Sequence, residues 1–160
     1  LRNVIHSGLR LGHFDKVWET LQAHPPERIG STRQPKEIYN LLHALYFFAR
    51  KDYANAEKHL AQCSFDDIHF NVQAEILQIK IYYETHSDLL DYRIKALQQK
   101  VRRSKMAREF KERYFALLNK ILLLVNYGWD KKNPKRLKLL EEIRSTPGLL
   151  EKDWLISHLE

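Results

Sequence analysis

Apolar side chains return every three or four residues along almost the whole chain, and strict alternation over five or more residues is hard to find. That period belongs to helices with one face turned to a core, and it leaves little room for strands. Ile38, Leu41, Leu42, Leu45, Phe48 and Ala49 form one such stripe. Lys51 and Asp52 interrupt it, and Tyr53, Ala56, Leu60 and Cys63 resume it more narrowly, so the spacing predicts helix, turn, helix with Asp52 capping the second. Ser64 with Asp67 reads as a capping box opening the next helix.

The stripes differ in width. From Asp67 to Glu84 the chain carries two, with Ile68, Val72, Ile76, Ile79 and Tyr83 on one and Phe70, Ala74, Leu77 and Ile81 on the other. A helix of that kind is covered on two sides. After Ser87 and Asp88, read as another cap, Leu90, Ile94, Leu97 and Val101 give a single stripe opposite a charged face, as expected of an outer helix. Residues 108–127 broaden again with Phe110, Tyr114, Phe115, Leu117, Leu118, Ile121, Leu122, Leu124 and Val125, as expected of a central one. Asn133 and Pro134 make a cap and first-turn pair for a short helix through Leu137, Leu140 and Ile143, which Pro147 and Gly148 end. A last piece carries Leu150, Trp154, Leu155 and Leu159.

Broad stripes alternating with narrow ones suit stacked helix pairs, in which the first helix of each pair is sandwiched between neighbours. The junction Gly12, His13, Phe14, Asp15, Lys16, Val17 aligns with Lys51, Asp52, Tyr53, Ala54, Asn55, Ala56 at an offset of 39, and His86, Ser87, Asp88, Leu89 follows roughly 36 residues later. The segment 24–35, with three prolines and Ile29 as its apolar residue, is expected to be a flexible loop behind the first pair. The expectation is one all-α helical-repeat domain over residues 1–160, with about eight or nine helices. The chain opens at Leu1 rather than Met, which leaves room for a longer polypeptide upstream.

Lys51, Asp52 and Tyr53 followed by Ala56 and Leu60 resemble the inter-helix junction of tetratricopeptide repeats, in which an aspartate-aromatic turn leads to a small residue and then a large apolar one. A second likeness spans about 65–125. The run 67–83, the helix after Ser87, the basic turn at 102–105 and residues 110–124 together are similar to the core of widespread bacterial tetratricopeptide-like helical proteins. The resemblance implies a right-handed α-α superhelix of helix pairs and assigns no activity. The Trp and Gly positions of the standard repeat's first helix and its terminal Pro are missing here, so peptide-clamp residues do not carry over.

Composition narrows the class. Hydrophobic residues at 44%, charged residues at 29%, and only five Gly and five Pro exclude a disordered or fibrous chain. The single Cys63 excludes an internal disulfide and fits a reducing, cytoplasmic setting. The longest apolar run, 121–125, is far short of the roughly 20 residues of a membrane span, and the first residues lack the charged, apolar and small-residue pattern of a signal, so neither is expected within these residues.

Charge is the strongest feature outside the core. Residues 93–113 hold Arg93, Lys95, Lys100, Arg102, Arg103, Lys105, Arg108, Lys111 and Arg113 against Glu109 and Glu112. That window is as positive as the whole chain, whose formal net charge is +7, so the basicity is local. Arg93, Lys100, Arg102, Arg103, Lys105, Arg108 and Lys111 form the candidate binding patch, for phosphates, an acidic protein or an anionic surface. A solvated outer face is the plainer reading. Nucleic acid is the less favoured partner, because Tyr92 and Tyr114 stand where the core also needs them.

No catalytic or cofactor motif emerges. His59 and Cys63 share a helix face at i, i+4, but no third or fourth zinc ligand is evident and Cys63 falls on an apolar stripe. Gly-rich phosphate loops, G-x-S-x-G and H-E-x-x-H are absent from the sequence. Glu141 and Glu142 are adjacent, not on one helix face. Tyr82, Tyr83, Tyr114, Phe115 and Trp154 are expected mostly in the core rather than lining a peptide groove. The function expected is a non-enzymatic protein-interaction or scaffold module without cofactor or metal, its partner protein unidentified. The alternative is anion or nucleic-acid binding through 93–113.

Overall fold

A computed structural model describes residues 1–30 and 33–160, and these are all-helical, with no strand among them. They divide into two compact units, Leu1–Ser87 and Asp88–Glu160.

The first unit holds α1 (Arg2–Arg10), α2 (Phe14–Ala23), α3 (Pro35–Ala49), α4 (Tyr53–Leu60) and α5 (Ile68–Glu84). Its core gathers one or more residues from each helix: Ile5, Val17 and Leu21, Leu41 and Leu42, Ala56 and Leu60, Leu77 and Ile81. α1 and α2 approach closely because residue 8 is Gly; a Cβ there would lie 2.5 Å from Val17 Cγ2.

The three aligned junctions share one backbone geometry. Gly12, Lys51 and His86 have φ of +72°, +59° and +54°. In each, the amide of the following residue reaches five residues back, His13 to Gly8 at 2.9 Å, Asp52 to Phe47 at 2.9 Å and Ser87 to Tyr82 at 2.9 Å. The left-handed residue's own amide bonds three back, to Leu9, Phe48 and Tyr83 respectively. These are Schellman closures, which satisfy the carbonyls a helix end leaves open. Glycine suits the position best, so Lys51 and His86 hold it at a conformational cost.

Of the segment expected as a loop, 24–35, the part before Ser31 carries a 3-10 turn at Pro26–Arg28, with Ile29 half-buried against the core; Ser31 and Thr32 lie outside the described residues, and α3 begins at Pro35. Gln34 anchors the connection's far end. Its amide nitrogen donates to Ser64 O at 2.7 Å, and its oxygen accepts from Asp66 N at 2.8 Å.

Asp52 caps α4 as its position predicts, accepting from Asn55 N at 3.2 Å. α5 departs from the expected box: Asp67 is itself the cap, accepting from His69 N and Phe70 N, while Ser64 stands outside the helix. Asp67 wins because its short carboxylate sits where the first free amides point. Tyr53 donates to Glu84 across α4 and α5, and burial with that carboxylate pushes its phenol up.

The second unit holds α6 (Leu90–Arg103), α7 (Arg108–Tyr127), α8 (Pro134–Ser145) and α9 (Lys152–Ser157). α6 buries only Leu90, Ile94, Leu97 and Val101, the single stripe expected, although Leu89 and not Ser87 or Asp88 stands at its cap. α7 is central within this unit, touching α6, α8 and α9, and it buries Tyr114, Leu117, Leu118, Ile121 and Leu124. Asn133 caps α8 through Lys135 N at 3.0 Å. Leu137, expected inside, is 68% exposed; Arg136 and Leu139 occupy the inner face with Leu140 and Ile143. Arg136 is drawn in by carbonyls, donating to Gly128 O at 3.0 Å and His158 O at 3.1 Å, so one guanidinium joins the ends of α7 and α9. No helix among the described residues is long and apolar enough to cross a membrane.

Candidate functional site

The basic residues surround the connection between α6 and α7. α6 ends because Ser104 turns extended, its hydroxyl donating to Val101 O at 2.7 Å. Met106 then plugs the turn, 7% exposed, with its amide 3.4 Å from Ser104 Oγ. Three further links brace the elbow. Lys111 Nζ donates to Arg102 O at 3.0 Å, the Arg102 guanidinium lies 5.9 Å from the Phe115 ring centre, and Gln98 donates to Asn119 at 3.2 Å.

Lys100, Arg102, Arg103, Lys105, Arg108 and Lys111 are thus gathered around one short turn, all exposed except the half-buried Lys111. Arg93 is not among them, standing about 15 Å back along α6. Lys95 is held by Asp91 at 2.7 Å, and Arg108 by Glu112 at 2.8 Å. The side chains of Arg103 and Lys105 have no hydrogen bond or ion pair among the described residues. Lys100, Arg102 and Arg103 also complement the carboxyl-terminal dipole of α6, each contributing on the order of 0.3–1 kcal/mol.

Of the window's two carboxylates, Glu112 pairs with Arg108 of this cluster, and Glu109 stands on a different row of α7 from Lys111. Lys111, Phe115 and Asn119 form the row of α7 that meets α6, whereas Glu109, Glu112 and Arg113 lie toward another side with Ala116. That side lines an open groove of about 360 Å³ against Thr146, Pro147 and Leu149. It is of mixed charge, with Arg113 beside the two glutamates, whereas Arg103 and Lys105 at the turn have no carboxylate partner among the described residues.

Of the tyrosines weighed against nucleic acid, Tyr114 is buried, but Tyr92 is 70% exposed and is no part of the core. It sits near the start of α6, remote from the elbow. Of the other aromatics considered for a groove, Tyr83 is buried, while Tyr82, Phe115 and Trp154 are half-buried.

A second cluster, in the first unit, escaped the sequence reading. Tyr39, His43 and Phe47 follow at i, i+4, i+8 on α3, a spacing that could have disclosed a ring row, and they meet Trp18 of α2 and His59 of α4. The His43 ring lies 4.0 Å from Tyr39, 5.9 Å from Trp18 and 5.1 Å from His59, centre to centre. His59 also stacks on Phe47 at 5.4 Å. His43 Nδ1 donates to Tyr39 O at 2.8 Å, so Nε2 carries the lone pair, and Nε2 is buried with no partner among the described residues. Burial holds His43 below the ordinary imidazole range against the opposing pull of the Tyr39 carbonyl; His59 is lowered by burial, by the repulsion it would meet from a protonated His43, and by the Lys58 ammonium.

Neither residue of the His59–Cys63 pair is disposed as a metal ligand. His59 Nδ1 is engaged by Asn40 Oδ1 at 2.8 Å, and the Cys63 thiol donates to Glu37 O and His59 O at 3.6 Å. Burial and the Glu37 carboxylate push that thiol up to about 12, which leaves almost no thiolate near neutrality. Glu142 pairs with Lys120 at 2.8 Å, a bond that holds its carboxyl below the usual range, while Glu141 faces solvent. No group of three or more His, Cys, Asp or Glu is placed to hold a metal ion among the described residues.

Comparison with protein-family profiles, with curated proteins and with solved structures finds no match to the chain.

Proposed function

We propose that this chain is a non-enzymatic binding module of tetratricopeptide-like helix pairs, cytoplasmic, whose work is to hold another protein. The observation that carries this reading is the recurrence of one Schellman closure at Gly12, Lys51 and His86, because a repeated helix-turn geometry is what modular helix pairs require. The right-handed α-α superhelix belongs to the same proposal and rests on the sequence resemblance. Cys63 as an inert thiol and Glu142 as an ion-pair partner supply no nucleophile or acid-base pair, which further favours binding over turnover.

Affinity capture with the full chain, followed by reconstitution with the purified captured protein, tests it. A stoichiometric complex with a micromolar or tighter Kd is expected. Repeated capture of nothing above a control helix bundle contradicts it.

A second reading, anion or nucleic-acid binding through 93–113, is favoured by the uncompensated Arg103 and Lys105. If about five phosphates were contacted, log affinity against log salt would fall with a slope of roughly −4.

A further inference from the structure

We infer that the α6–α7 elbow is the docking surface and that the protein segment it takes is acidic. This rests on the protein-binding reading and names the partner's chemistry. Three observations converge. The cations surround a single turn that is braced by Lys111 on the Arg102 carbonyl and by Arg102 on the Phe115 ring, so the charges are displayed on a stiff support. Arg103 and Lys105, at the crest of that turn, are exposed and spend no charge on an internal carboxylate. Glu109 and Glu112 line the other groove with Arg113, and Glu112 is spent on Arg108, so neither carboxylate neutralises Arg103 or Lys105.

The shape of the cluster separates an acidic peptide from a nucleic acid. A strand of phosphates is followed by a track of cations interleaved with exposed rings that stack on bases. Here the cations form a compact spot, the nearby Phe115 ring already carries the Arg102 guanidinium, Tyr114 is buried, and the exposed Tyr92 stands toward the far end of α6. Carboxylates clustered on one short segment match a compact spot, and Arg103 offers them a planar fork.

Fluorescence anisotropy with the whole chain tests the inference. The probes are a fluorescein-labelled 12-residue Glu/Asp-rich peptide and a labelled 12-nucleotide single-stranded RNA, each titrated at rising salt. The peptide is expected to bind more tightly than the RNA and to weaken as salt rises. Arg103→Glu combined with Lys105→Glu, with folding checked by circular dichroism, is expected to weaken the peptide about tenfold or more, since both positions are exposed and unpaired. Peptide affinity unchanged in the double variant, RNA bound as tightly as the peptide, or neither probe bound would each overturn it. Capture with the same variant keeps the two readings apart. Retention of the wild-type partner sinks the elbow but leaves protein binding standing, whereas capture of nothing by the wild type removes the binding role itself.

Discussion

The imidazole rings of His43 and His59 lie 5.1 Å apart, and His43 Nε2 faces the interior without a hydrogen-bond partner among the described residues. A proton on that nitrogen would be a buried donor with no acceptor, beside a second ring that also titrates. The fold therefore holds both rings neutral, and both are lowered from an ordinary value of 6.5. The unfolded chain then binds more protons below that value, so the stability this cluster confers is complete above it and declines as pH falls through it. Guanidinium denaturation at pH 7.5 and 5.5 should show the loss, and His43→Leu should shrink the difference. Equal wild-type midpoints at the two pH values would remove the pair as its source.

The three Schellman closures make a paired prediction of opposite sign. Lys51→Gly and His86→Gly relieve a left-handed residue and should each stabilise by about 0.5–1 kcal/mol. Gly12→Ala should destabilise by about 1 kcal/mol, although nothing lies within 4 Å of the added Cβ, because its cost is in φ and not in space. Thermal melts of the three variants decide the matter; a stabilised Gly12→Ala is incompatible with the geometry.

Gly8 poses the converse case, where space is the constraint. Gly8→Ala drives a methyl to 2.5 Å from Val17 Cγ2 and should cost about 1–3 kcal/mol, even though alanine is the better helix former. Val17→Ala in the same chain should recover part of that loss. Additive effects in the double variant would show that the two residues do not collide.

Arg136 joins the ends of α7 and α9 through the carbonyls of Gly128 and His158. Arg136→Met keeps the stem and takes the donor away from both carbonyls, the Gly128 contact being buried, at about 2–3 kcal/mol. Hydrogen exchange should rise first over 152–160, ahead of α7. Uniform exchange across the unit would argue against a local latch.

Much of this architecture is legible in the sequence where one local pattern decides it. The α6 stripe and the bounds of α7 follow from apolar period alone, and Asp52 and Asn133 cap as their positions predict. What escapes is set by tertiary partners. Leu137 has the right spacing for the inner face, yet Arg136 takes the inside because helix-end carbonyls await it. His43 reads as one of eight histidines until α2 and α4 close around it. The basic elbow is visible as a charge count, but that Glu112 pairs with Arg108 while Arg103 and Lys105 stay unpaired among the described residues depends on which row of α7 meets α6, and that is fixed only by packing.

Zero-length carbodiimide coupling of the full chain to its captured partner, read by mass spectrometry, probes the binding role most directly, because it joins only lysines and carboxylates already in contact. Cross-links from Lys100, Lys105 or Lys111 to aspartates and glutamates of one partner segment are the expected result. A chain that captures no protein contradicts the binding role, and a complex whose cross-links all avoid these lysines contradicts its placement at the elbow.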